Sequence, residues 1–433
     1  MKSNGYVEFF RQTSPYIHAH RGKTFVIALG GDAVLHGNFH SAVHDIALLQ
    51  SLGIRVVLVH GARPQTEQRI AVAGIESQFN QGLRITDGDA IQCVKEAVGA
   101  TRLQIESELS MGLPNSPMHG AGIRVIGGNF ITAKPVGVRG GVDFQRTGEV
   151  RRIDGPAIDG QLQQGSLVLI SPIGFSPTGE AFNLSYQDLA SQVAVALGAE
   201  KLILMTEARG VVRDNNLVRA LSLPELEGLR DAADSAEQQT LAAAYQACRN
   251  GVDRVHLVSC AEDGSLLTEL FTRDGSGTLV MKDHSEVIRP ATIEDVGGII
   301  DLIAPLEEQQ VLVKRSRELL ETEIERFMLV VHPEGVLLGC AALYPTAADK
   351  VGELACVATH AEFHGQGIAS RLFDAIVEDA QRKGLNQLFV LTTQAAHWFV
   401  ERGFVEAQVA DLPAHKQSLY NYQRNSRIFS KTI

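Results

Sequence analysis

A chain of 433 residues is too long for one ordinary hydrophobic core, so its length predicts two or three domains. A hydrophobic content of 45% and a charged content of 21% describe a globular protein and exclude a fibrous or largely disordered one. A formal net charge of −11 disfavours attraction to nucleic acid or to anionic membranes, so we expect neither as a partner.

The N-terminus and the cysteines indicate the compartment. Residues 1–23 contain no apolar run of signal-peptide length, and no segment approaches the roughly 20 apolar residues that a membrane-spanning helix needs. The sequence has five cysteines, none in a C-x-x-C pair: Cys93, Cys248, Cys260, Cys340 and Cys356. An odd number of widely spaced cysteines fits reduced thiols, so we expect a cytoplasmic protein without a metal site.

Residues 24–280 alternate apolar runs with helical periods. The apolar runs are TFVIAL (24–29), RVVLVHG (55–61), SLVLISPIG (166–174), KLILMT (201–206) and RVHLVS (254–259). The helical segments include 40–53, 64–74, 87–111, 184–198 and 242–251. Continuous apolar strands that alternate with helices predict an α/β fold with an open, mostly parallel sheet between helices. We also expect a hairpin over 122–136, where GIRVIGGNFITAKPV places two glycines between apolar runs.

The composition changes at GSGTLVMKDHSE (275–286), which predicts a domain boundary near residue 284. We therefore expect an N-terminal arm over 1–22, one domain over 23–283 and a second over 286–433. The second domain is predicted to contain helices at 293–306, capped by Thr292, at 316–327 and after 366, and strands at 327–333, 335–345 and 351–359. This pattern indicates a mixed α+β domain.

The strongest chemical signal is GELACVATHAEFHGQGIASRLFDAIVEDA, residues 352–380. A strand leads into the turn HGQGIA (364–369), which opens an amphipathic helix. The first turn of a helix presents unpaired N–H groups and the positive end of the helix dipole, and Gly365 and Gly367 let an anion approach the backbone closely. The turn therefore predicts an anion site that needs no lysine.

The same stretch resembles the acyl-CoA motif of the GNAT acetyltransferases, (Q/R)-x-x-G-x-(G/A), with His364 first, Gly367 fourth and Ala369 sixth. The resemblance implies acetyl-CoA as co-substrate, with the pantetheine arm beside the preceding strand. The implied acetyl-CoA residues are Cys356, Val357, Ala358, Thr359, His364, Gly365, Gln366, Gly367, Ile368 and Ala369.

An acetyltransferase must deprotonate the attacking amine, and Glu353 is our candidate for that base, directly or through a water. Thr392 is the candidate donor to the leaving sulfur. Phe399 occupies the position that often carries a tyrosine acid in the family. Cys356 is a further catalytic candidate, although an apolar strand more often holds a cysteine as a core thiol.

The first domain resembles the amino acid kinases, specifically the acetylglutamate kinase branch. FVIALGGDAV, LVHGARPQ and FNLSYQDLASQ match its two glycine loops and its NxNxD helix. Three positions depart from it, because Ala28 replaces a lysine, Arg63 follows Gly61-Ala62 where the kinases have a glycine triplet, and Gln187 replaces the catalytic aspartate. Phosphoryl transfer depends on such charges, so we expect a catalytically silent, regulatory domain.

Taken whole, the chain resembles the two-domain N-acetylglutamate synthases of bacteria, through LVKRSRELLE, GELACVA, HWFVERGF and LYNYQRNSRI. The resemblance implies acetyl transfer from acetyl-CoA to the α-amino group of L-glutamate, the first step of arginine biosynthesis. An ATP-dependent acetylglutamate kinase and a non-catalytic arginine-sensing protein are the alternatives. The cations implied for glutamate are Lys314, Arg315, Lys350 and Arg424.

The resemblance also implies feedback inhibition by L-arginine and a ring-like homo-oligomer, with a hexamer as one candidate. The implied effector residues are Tyr16, Lys201, His256, Glu269 and Gly275. Among these, Glu269 carries the carboxylate that a guanidinium pairs with in a bidentate contact.

Overall fold

The structure is a computed structural model that describes residues 5–80, 82–112, 118–213, 215–230, 235–272, 275–282, 286–332, 335–346, 349–360, 363–365, 367–420 and 426–433. The chain divides into two compact units, Met1–His284 and Ser285–Ile433, called the N-terminal and C-terminal units below. In the described residues, no helix is both long and apolar enough to span a bilayer.

The N-terminal unit contains ten α-helices and eighteen strands within its described residues. The helices are α1 (Gly5–His20), α2 (Gly31–Leu35), α3 (Phe39–Ser51), α4 (Arg63–Val72), α5 (Ala90–Leu109), α6 (Gly155–Gln163), α7 (Tyr186–Ala196), α8 (Leu223–Arg230), α9 (Ser235–Arg249) and α10 (Ser265–Phe271). The strands are β1 (Thr24–Leu29), β2 (Arg55–His60), β3 (Gln78–Asn80), β4 (Leu83–Ile85), β5 (Val125–Ile126), β6 (Ile131–Pro135), β7 (Val138–Arg139), β8 (Val142–Asp143), β9 (Gly148–Ile153), β10 (Leu167–Ile170), β11 (Ile173–Phe175), β12 (Ala181–Asn183), β13 (Lys201–Thr206), β14 (Val212–Arg213), β15 (Asn216–Leu217), β16 (Ala220–Ser222), β17 (Arg254–Ser259) and β18 (Thr278–Met281).

Eight strands form the main sheet, in the order β16-β18-β17-β13-β1-β2-β10-β5. All neighbours are parallel except β17 and β18, which confirms the prediction of an open, mostly parallel sheet. Every residue of β1 is buried, as expected for a central strand that helices cover on both faces. Alternate residues of β1 belong to two different hydrophobic cores, so that Val26 packs in one core and Ile27 in the other.

The predicted hairpin over 122–136 is wrong. β5 pairs in parallel with β10 in the main sheet, whereas β6 pairs with β9 and β11 in a separate four-stranded sheet. The glycines between them separate two sheets instead of closing a turn. A Cβ atom at Gly127 would lie 2.9 Å from Cζ of Arg102, so the glycine leaves room for this guanidinium of α5.

The C-terminal unit contains five α-helices and seven strands within its described residues. The helices are α11 (Val296–Glu308), α12 (Arg317–Glu323), α13 (Ile368–Arg382), α14 (Ala396–Val400) and α15 (Ala414–Leu419). The strands are β19 (Val287–Pro290), β20 (Phe327–Val331), β21 (Leu337–Thr346), β22 (Val351–Thr359), β23 (Gln387–Thr392), β24 (Val405–Ala407) and β25 (Arg427–Thr432).

These seven strands form one mixed sheet in the order β19-β20-β21-β22-β23-β25-β24, in which β22 and β23 alone are parallel neighbours among the described strands. The predicted mixed α+β fold is confirmed. α13 packs on one face through Leu372 and Ile376, and α11 packs on the other through Ile299 and Ile303. The predicted start of the first helix is a 3-10 turn over Ile293–Asp295, where Asp295 accepts hydrogen bonds from the amide and hydroxyl of Thr292.

Candidate functional site

A cleft of about 810 Å³ lies in the N-terminal unit, and one of about 580 Å³ lies in the C-terminal unit. The C-terminal cleft begins where β22 separates from β23. The parallel ladder between these strands contains Val351, Gly352 and Glu353, and the rest of β22 runs on without β23 beside it. The cleft lies along this unpaired edge, and Leu354, Cys356 and Thr359 line it. An extended ligand can therefore bind there by adding to the edge of the strand.

The glycine turn closes one end of the same cleft. Gly365 and Gly367 have φ angles of +83° and +78°, a left-handed conformation that side chains disfavour, and α13 begins at Ile368 directly after them. His364, the departure from the usual motif, places its ring nitrogen 3.3 Å from the carbonyl oxygen of Thr359. The unpaired strand edge and the helix N-terminus thus face one cleft. Gln366 lies outside the described residues.

Thr392 ends β23 on the opposite wall of this cleft. Its hydroxyl oxygen accepts hydrogen bonds from the amides of Gln394 and Ala395, at 3.3 and 3.0 Å. Because both bonds use the oxygen as acceptor, the hydroxyl hydrogen remains available for donation into the cleft. Phe399 also lines the cleft and is only 4% exposed.

A β-bulge places Glu353 and Cys356 on the same face of the sheet. Tyr344 pairs with Glu353 and Ala342 with Ala355, but Cys340 pairs with Ala358, so β22 holds one extra residue. Cys356 has a φ of +52° and packs with Cys340 in the core beneath α11. Regular alternation would have put positions 353 and 356 on opposite faces.

Glu353 contacts a cation that sequence reasoning missed. The Nζ atom of Lys416, on α15, lies 2.5 Å from Oε2 of Glu353, and the two side chains are 26% and 13% exposed. The same ammonium lies 5.7 Å from the centroid of the Tyr344 ring. No motif marked Lys416, because α15 reaches Glu353 only through tertiary packing.

Arg315 lies on the same face. Its backbone amide donates to Oε1 of Glu307 at 2.9 Å, and its guanidinium donates to the carbonyl oxygen of Val313 at 3.2 Å and lies near Tyr344 and Cys356. The Tyr344 hydroxyl in turn donates to Glu323 at 2.7 Å. A carboxylate, two cations and a phenol are thus grouped on one face of the sheet, next to Leu354, the first residue of β22 that lines the cleft.

The other predicted cations are not brought to this cluster by any contact of the described residues. Lys314 and Lys350 are exposed, and Lys350 occupies a turn with a φ of +52°. Arg424 lies outside the described residues. Sequence reasoning also missed Arg402, which lines the cleft with its guanidinium 3.8 Å from the Trp398 ring centroid. Arg402 lies inside HWFVERGF, one of the motifs that carry the family resemblance. The arginine in that motif could therefore have indicated a further cation for the anion site.

In the N-terminal unit, three of the predicted effector residues form a buried hydrogen-bonded chain. Nζ of Lys201 lies 3.1 Å from Nε2 of His256, whose Nδ1 lies 2.7 Å from Oε1 of Glu269. A lysine only donates, so Nε2 accepts and Nδ1 carries the proton that it donates to the carboxylate. Oε2 of Glu269 also accepts hydrogen bonds from the amides of Ser276 and Gly277, at 2.7 and 2.8 Å.

Gly275 borders these three side chains, and Tyr16 lies beside His20 on α1. A methyl group at Gly275 would lie 2.5 Å from Oε2 of Glu269, and its φ of +59° also favours glycine. Tyr16 is half-buried, with its ring centroid 6.4 Å from that of His20. His20 was missed, and it contacts the carbonyl oxygen of Leu270 at 2.9 Å, tying α1 to α10.

Burial and hydrogen-bond partners set the charges of His256 and Glu269. Burial and the Lys201 ammonium lower the pKa of His256 to about 4, so its ring is neutral at pH 7. Burial alone would raise the pKa of Glu269, but the hydrogen bonds from His256 and from the two amides lower it to about 2. Glu269 is thus an ionised carboxylate at pH 7. A carboxylate can accept about four hydrogen bonds, and Glu269 accepts three here.

The cleft of the N-terminal unit lies at the two glycine loops. Ala28 is fully buried between Val59 and Leu204, so the strand carries no cation toward the cleft at that position. The Tyr186 ring lies against both loops, since a methyl group at Gly61 would be 2.8 Å from its Cδ1 atom. Arg63 stacks on Phe79 at 4.7 Å.

Gln187, at the position of the kinase aspartate, also lines this cleft and is 9% exposed. In the described residues, no group of three or more His, Cys, Asp or Glu side chains is arranged to hold a metal ion.

Comparisons with known proteins agree with both units. Residues 23–259 match the amino acid kinase family and residues 299–404 match the acetyltransferase (GNAT) family. An amino-acid acetyltransferase of Pseudomonas fluorescens (strain Pf0-1) is 52% identical over 430 residues, which are 99% of this chain and 99% of that protein.

Two solved structures are also similar over nearly the whole chain. N-acetylglutamate synthase from Neisseria gonorrhoeae, complexed with coenzyme A and L-arginine, superposes with a TM-score of 0.84 at 37% identity, covering 99% of each chain. The structure of that enzyme complexed with coenzyme A and N-acetyl-glutamate gives a TM-score of 0.62 at 38% identity, again covering 99% of each chain. These likenesses support the acetyltransferase interpretation and neither of its alternatives. The chain belongs to the amino-acid acetyltransferase family and is an acetyltransferase enzyme that joins an amino acid kinase fold to a GNAT fold.

Proposed function

We propose that this chain transfers the acetyl group of acetyl-CoA to the α-amino group of L-glutamate, giving N-acetyl-L-glutamate and CoA. The observation that carries the proposal is the position of Glu353. It is the last residue of β22 that pairs with β23, and the strand edge that lines the cleft begins directly after it. A carboxylate there can take a proton from an amine that faces a thioester in the cleft. The relatives that bind coenzyme A and N-acetyl-glutamate are consistent with this assignment.

The reaction needs two proton transfers. Glu353 takes a proton from the ammonium of glutamate, because an ammonium has no lone pair with which to attack. The free amine then adds to the thioester carbonyl, and the C–S bond of the intermediate breaks to release the CoA thiolate. The added nitrogen gives up its second proton, which the leaving thiolate takes, and Glu353 returns the first proton to solvent. A CoA thiol resembles cysteine, with a pKa of about 8.5, so its thiolate leaves moderately well. The Thr392 hydroxyl stabilises it by donating the hydrogen that its own acceptor bonds leave available.

Arg315 and Lys416 are the proposed partners of the two glutamate carboxylates, together with Arg424. Arg315 lies beside Tyr344 and Cys356, and Lys416 already contacts the carboxylate of Glu353. The ammonium of glutamate must therefore displace that of Lys416 from Glu353. Once displaced, Lys416 can pair with a substrate carboxylate without losing an ionic partner.

The N-terminal unit is proposed to sense L-arginine and to transfer no phosphoryl group. A guanidinium would pair with Glu269, whose carboxylate is buried and ionised, and the similar structure from Neisseria gonorrhoeae is a complex with L-arginine. Ala28 and Gln187 offer no charge to a transferring phosphoryl. The homo-oligomer is proposed from the resemblance, and the cytoplasmic location is proposed from the N-terminal sequence and the unpaired cysteines.

A thiol-release assay and an ADP-formation assay together test the proposal. Purified full-length protein is mixed with acetyl-CoA, and release of free thiol is followed with L-glutamate, with L-aspartate and without an acceptor, each with and without L-arginine. Thiol release that depends on glutamate and falls with arginine is the expected result. Equal rates of thiol release with and without glutamate would refute glutamate as the acetyl acceptor. Formation of ADP from ATP and N-acetylglutamate would refute the claim that the N-terminal unit transfers no phosphoryl group.

A further inference from the structure

Two thiols lie one behind the other at the wall of the acetyl-CoA cleft, and the proposed reaction uses neither as a nucleophile. Cys356 lines the cleft and is 4% exposed, whereas Cys340, on the neighbouring strand, is fully buried behind it. The Cys340 thiol donates to the carbonyl oxygen of Cys356 at 3.6 Å, which places the two cysteines side by side. The bulge produces this arrangement, because it turns Cys356 toward the face that Cys340 already occupies.

The surroundings shift the pKa values of the two thiols in opposite directions, which favours Cys356 as the nucleophile. The neighbouring Cys340 lowers the pKa of the Cys356 thiol despite burial, and the nearby Arg315 guanidinium lowers it further. The neighbouring Cys356 and burial raise the pKa of Cys340. By contrast, burial raises the pKa of Cys248 and Cys260 to about 11. A thiolate is the reactive form of cysteine, so Cys356 has the properties of an attacking thiol.

We propose that Cys356 is a thiol-modification site for CoA disulfide, the oxidised form of the CoA that the reaction releases. CoA disulfide would bind through one CoA moiety in the cleft, form a mixed disulfide with Cys356, and leave a Cys340–Cys356 disulfide after a second exchange. This inference rests on the proposed function, because the cleft must bind CoA.

Both steps balance without a further oxidant. The Cys356 thiolate attacks one sulfur of CoA disulfide, the S–S bond breaks, and one CoA leaves as a thiolate that takes a proton from water. The Cys340 thiol loses its proton and attacks Sγ of Cys356, which releases the second CoA. CoA disulfide is reduced to two CoA thiols, and the two cysteines lose two electrons.

Either product blocks acetyl transfer. A CoA moiety bound to Cys356 occupies the cleft that acetyl-CoA needs. A disulfide between positions 340 and 356 crosslinks β21 to the bulge of β22 and fixes the strand whose free edge lines the cleft. The structure thus links acetyl transfer to the ratio of CoA thiol to CoA disulfide.

The test uses the full-length wild-type protein, so it does not depend on the folding of a variant. The protein is treated with CoA disulfide or, at the same concentration, with glutathione disulfide, and all five cysteines are mapped by peptide mass spectrometry. We expect Cys356 to react at least about tenfold faster with CoA disulfide, because binding in the cleft raises the effective concentration. Loss of acetyl transfer should follow the modification, acetyl-CoA should slow it, and dithiothreitol should reverse it.

Two variants separate the steps. C340S should stop at the mixed disulfide, with one CoA attached, and C356S should carry no CoA. Adducts spread equally over Cys93, Cys248 and Cys260, or equal rates with the two disulfides, would overturn the inference. A wild-type protein that acetylates glutamate but leaves Cys356 unmodified also overturns it and leaves the proposed function intact. A protein that forms the 340–356 disulfide but never acetylates glutamate would contradict the proposed function instead.

Discussion

The Glu353 carboxylate and the Lys416 ammonium lie 2.5 Å apart in a partly buried site. If Glu353 removes the proton from the acceptor amine, its replacement by the isosteric Gln removes the base and keeps the shape. We expect E353Q to lower kcat by roughly 10²- to 10⁴-fold, the usual contribution of a general base. Steady-state thiol release with saturating glutamate measures this loss.

The matched control is E406Q, on β24 of the same unit, whose carboxylate is 61% exposed and pairs with Arg427. Its kcat should equal that of the wild type, since exposed ion pairs contribute little. A wild-type kcat in E353Q would remove Glu353 from the mechanism.

Arg315 and Arg317 provide a second contrast between residues. The Arg315 guanidinium is held beside Tyr344 and Cys356, whereas the Arg317 side chain is 71% exposed and pairs with Glu321 within its own helix. A hydrogen bond to a charged group contributes about 1.5–3 kcal/mol, so R315A should raise the KM for glutamate roughly 10- to 100-fold. R317A should leave that KM at the wild-type value. Equal effects of both variants on the two substrates would rule out a carboxylate contact at Arg315.

Elements of secondary structure were more predictable from the sequence than the contacts between them. The main strands of both units and helices such as α5 and α13 appear where the periodicity placed them, because burial of one face or both faces leaves a pattern in the sequence. The prediction of a hairpin over 122–136 was wrong because local glycine spacing does not reveal which sheet each strand joins. Lys416 was missed for the same reason, since its partner is 63 positions away and only the fold brings them together.

The glycine turn before α13 allows a test at the level of one element. Gly367 and Gly384 flank α13, have φ angles of +78° and +73°, and have no atom within 4 Å of the position that a methyl group would take. Alanine at either position costs about 1–2 kcal/mol of backbone strain. Only Gly367 lines the cleft, so G367A alone should also raise the KM for acetyl-CoA.

Chemical denaturation measures the strain and steady-state kinetics measures the KM. Similar losses of stability with a change in KM in G367A alone would support the turn as the CoA site. An equal KM for acetyl-CoA in both variants would contradict it.

The proposed regulation belongs to the whole molecule, because the effector residues lie in the N-terminal unit and the base in the C-terminal unit. The buried Glu269 carboxylate is the proposed partner of arginine, and Gln at that position removes its charge. We expect E269Q to raise the arginine concentration for half-inhibition by at least about tenfold, since each 1.4 kcal/mol of lost binding is a factor of ten. The ratio of rates with and without arginine reports this change independently of the uninhibited rate.

The control for this variant is E262Q, because the Glu262 side chain is 34% exposed and pairs with Arg209. Inhibition of E262Q should match that of the wild type. Undiminished inhibition of E269Q would place the arginine site elsewhere.

Buried histidines make the N-terminal unit sensitive to acid. Burial lowers the pKa of His20, His60 and His256 to about 4, whereas an unfolded histidine titrates near 6.5. Between these values the unfolded chain binds the additional protons, so each histidine costs about 1.4 kcal/mol of stability for each pH unit of acidification. Burial raises the pKa of Asp45 to about 7 and also raises that of Asp188, and these carboxyls act in the opposite direction. The three histidines outweigh them, so the stability of this unit should fall as the pH drops from 6.5 toward 4.

Denaturation by urea at pH 7.5, 6.5, 5.5 and 4.5 measures this dependence on the full chain. Trp398, the single tryptophan of the sequence, lies in the C-terminal unit, so its fluorescence follows that unit while far-ultraviolet circular dichroism follows both. The transition without a tryptophan signal should shift to lower urea as the pH falls. H60Q, which keeps a polar group near Ser171 but cannot titrate, should reduce the slope of that shift by one histidine's share. A midpoint that stays constant between pH 6.5 and 4.5 would show that these histidines titrate alike in the folded and unfolded chain.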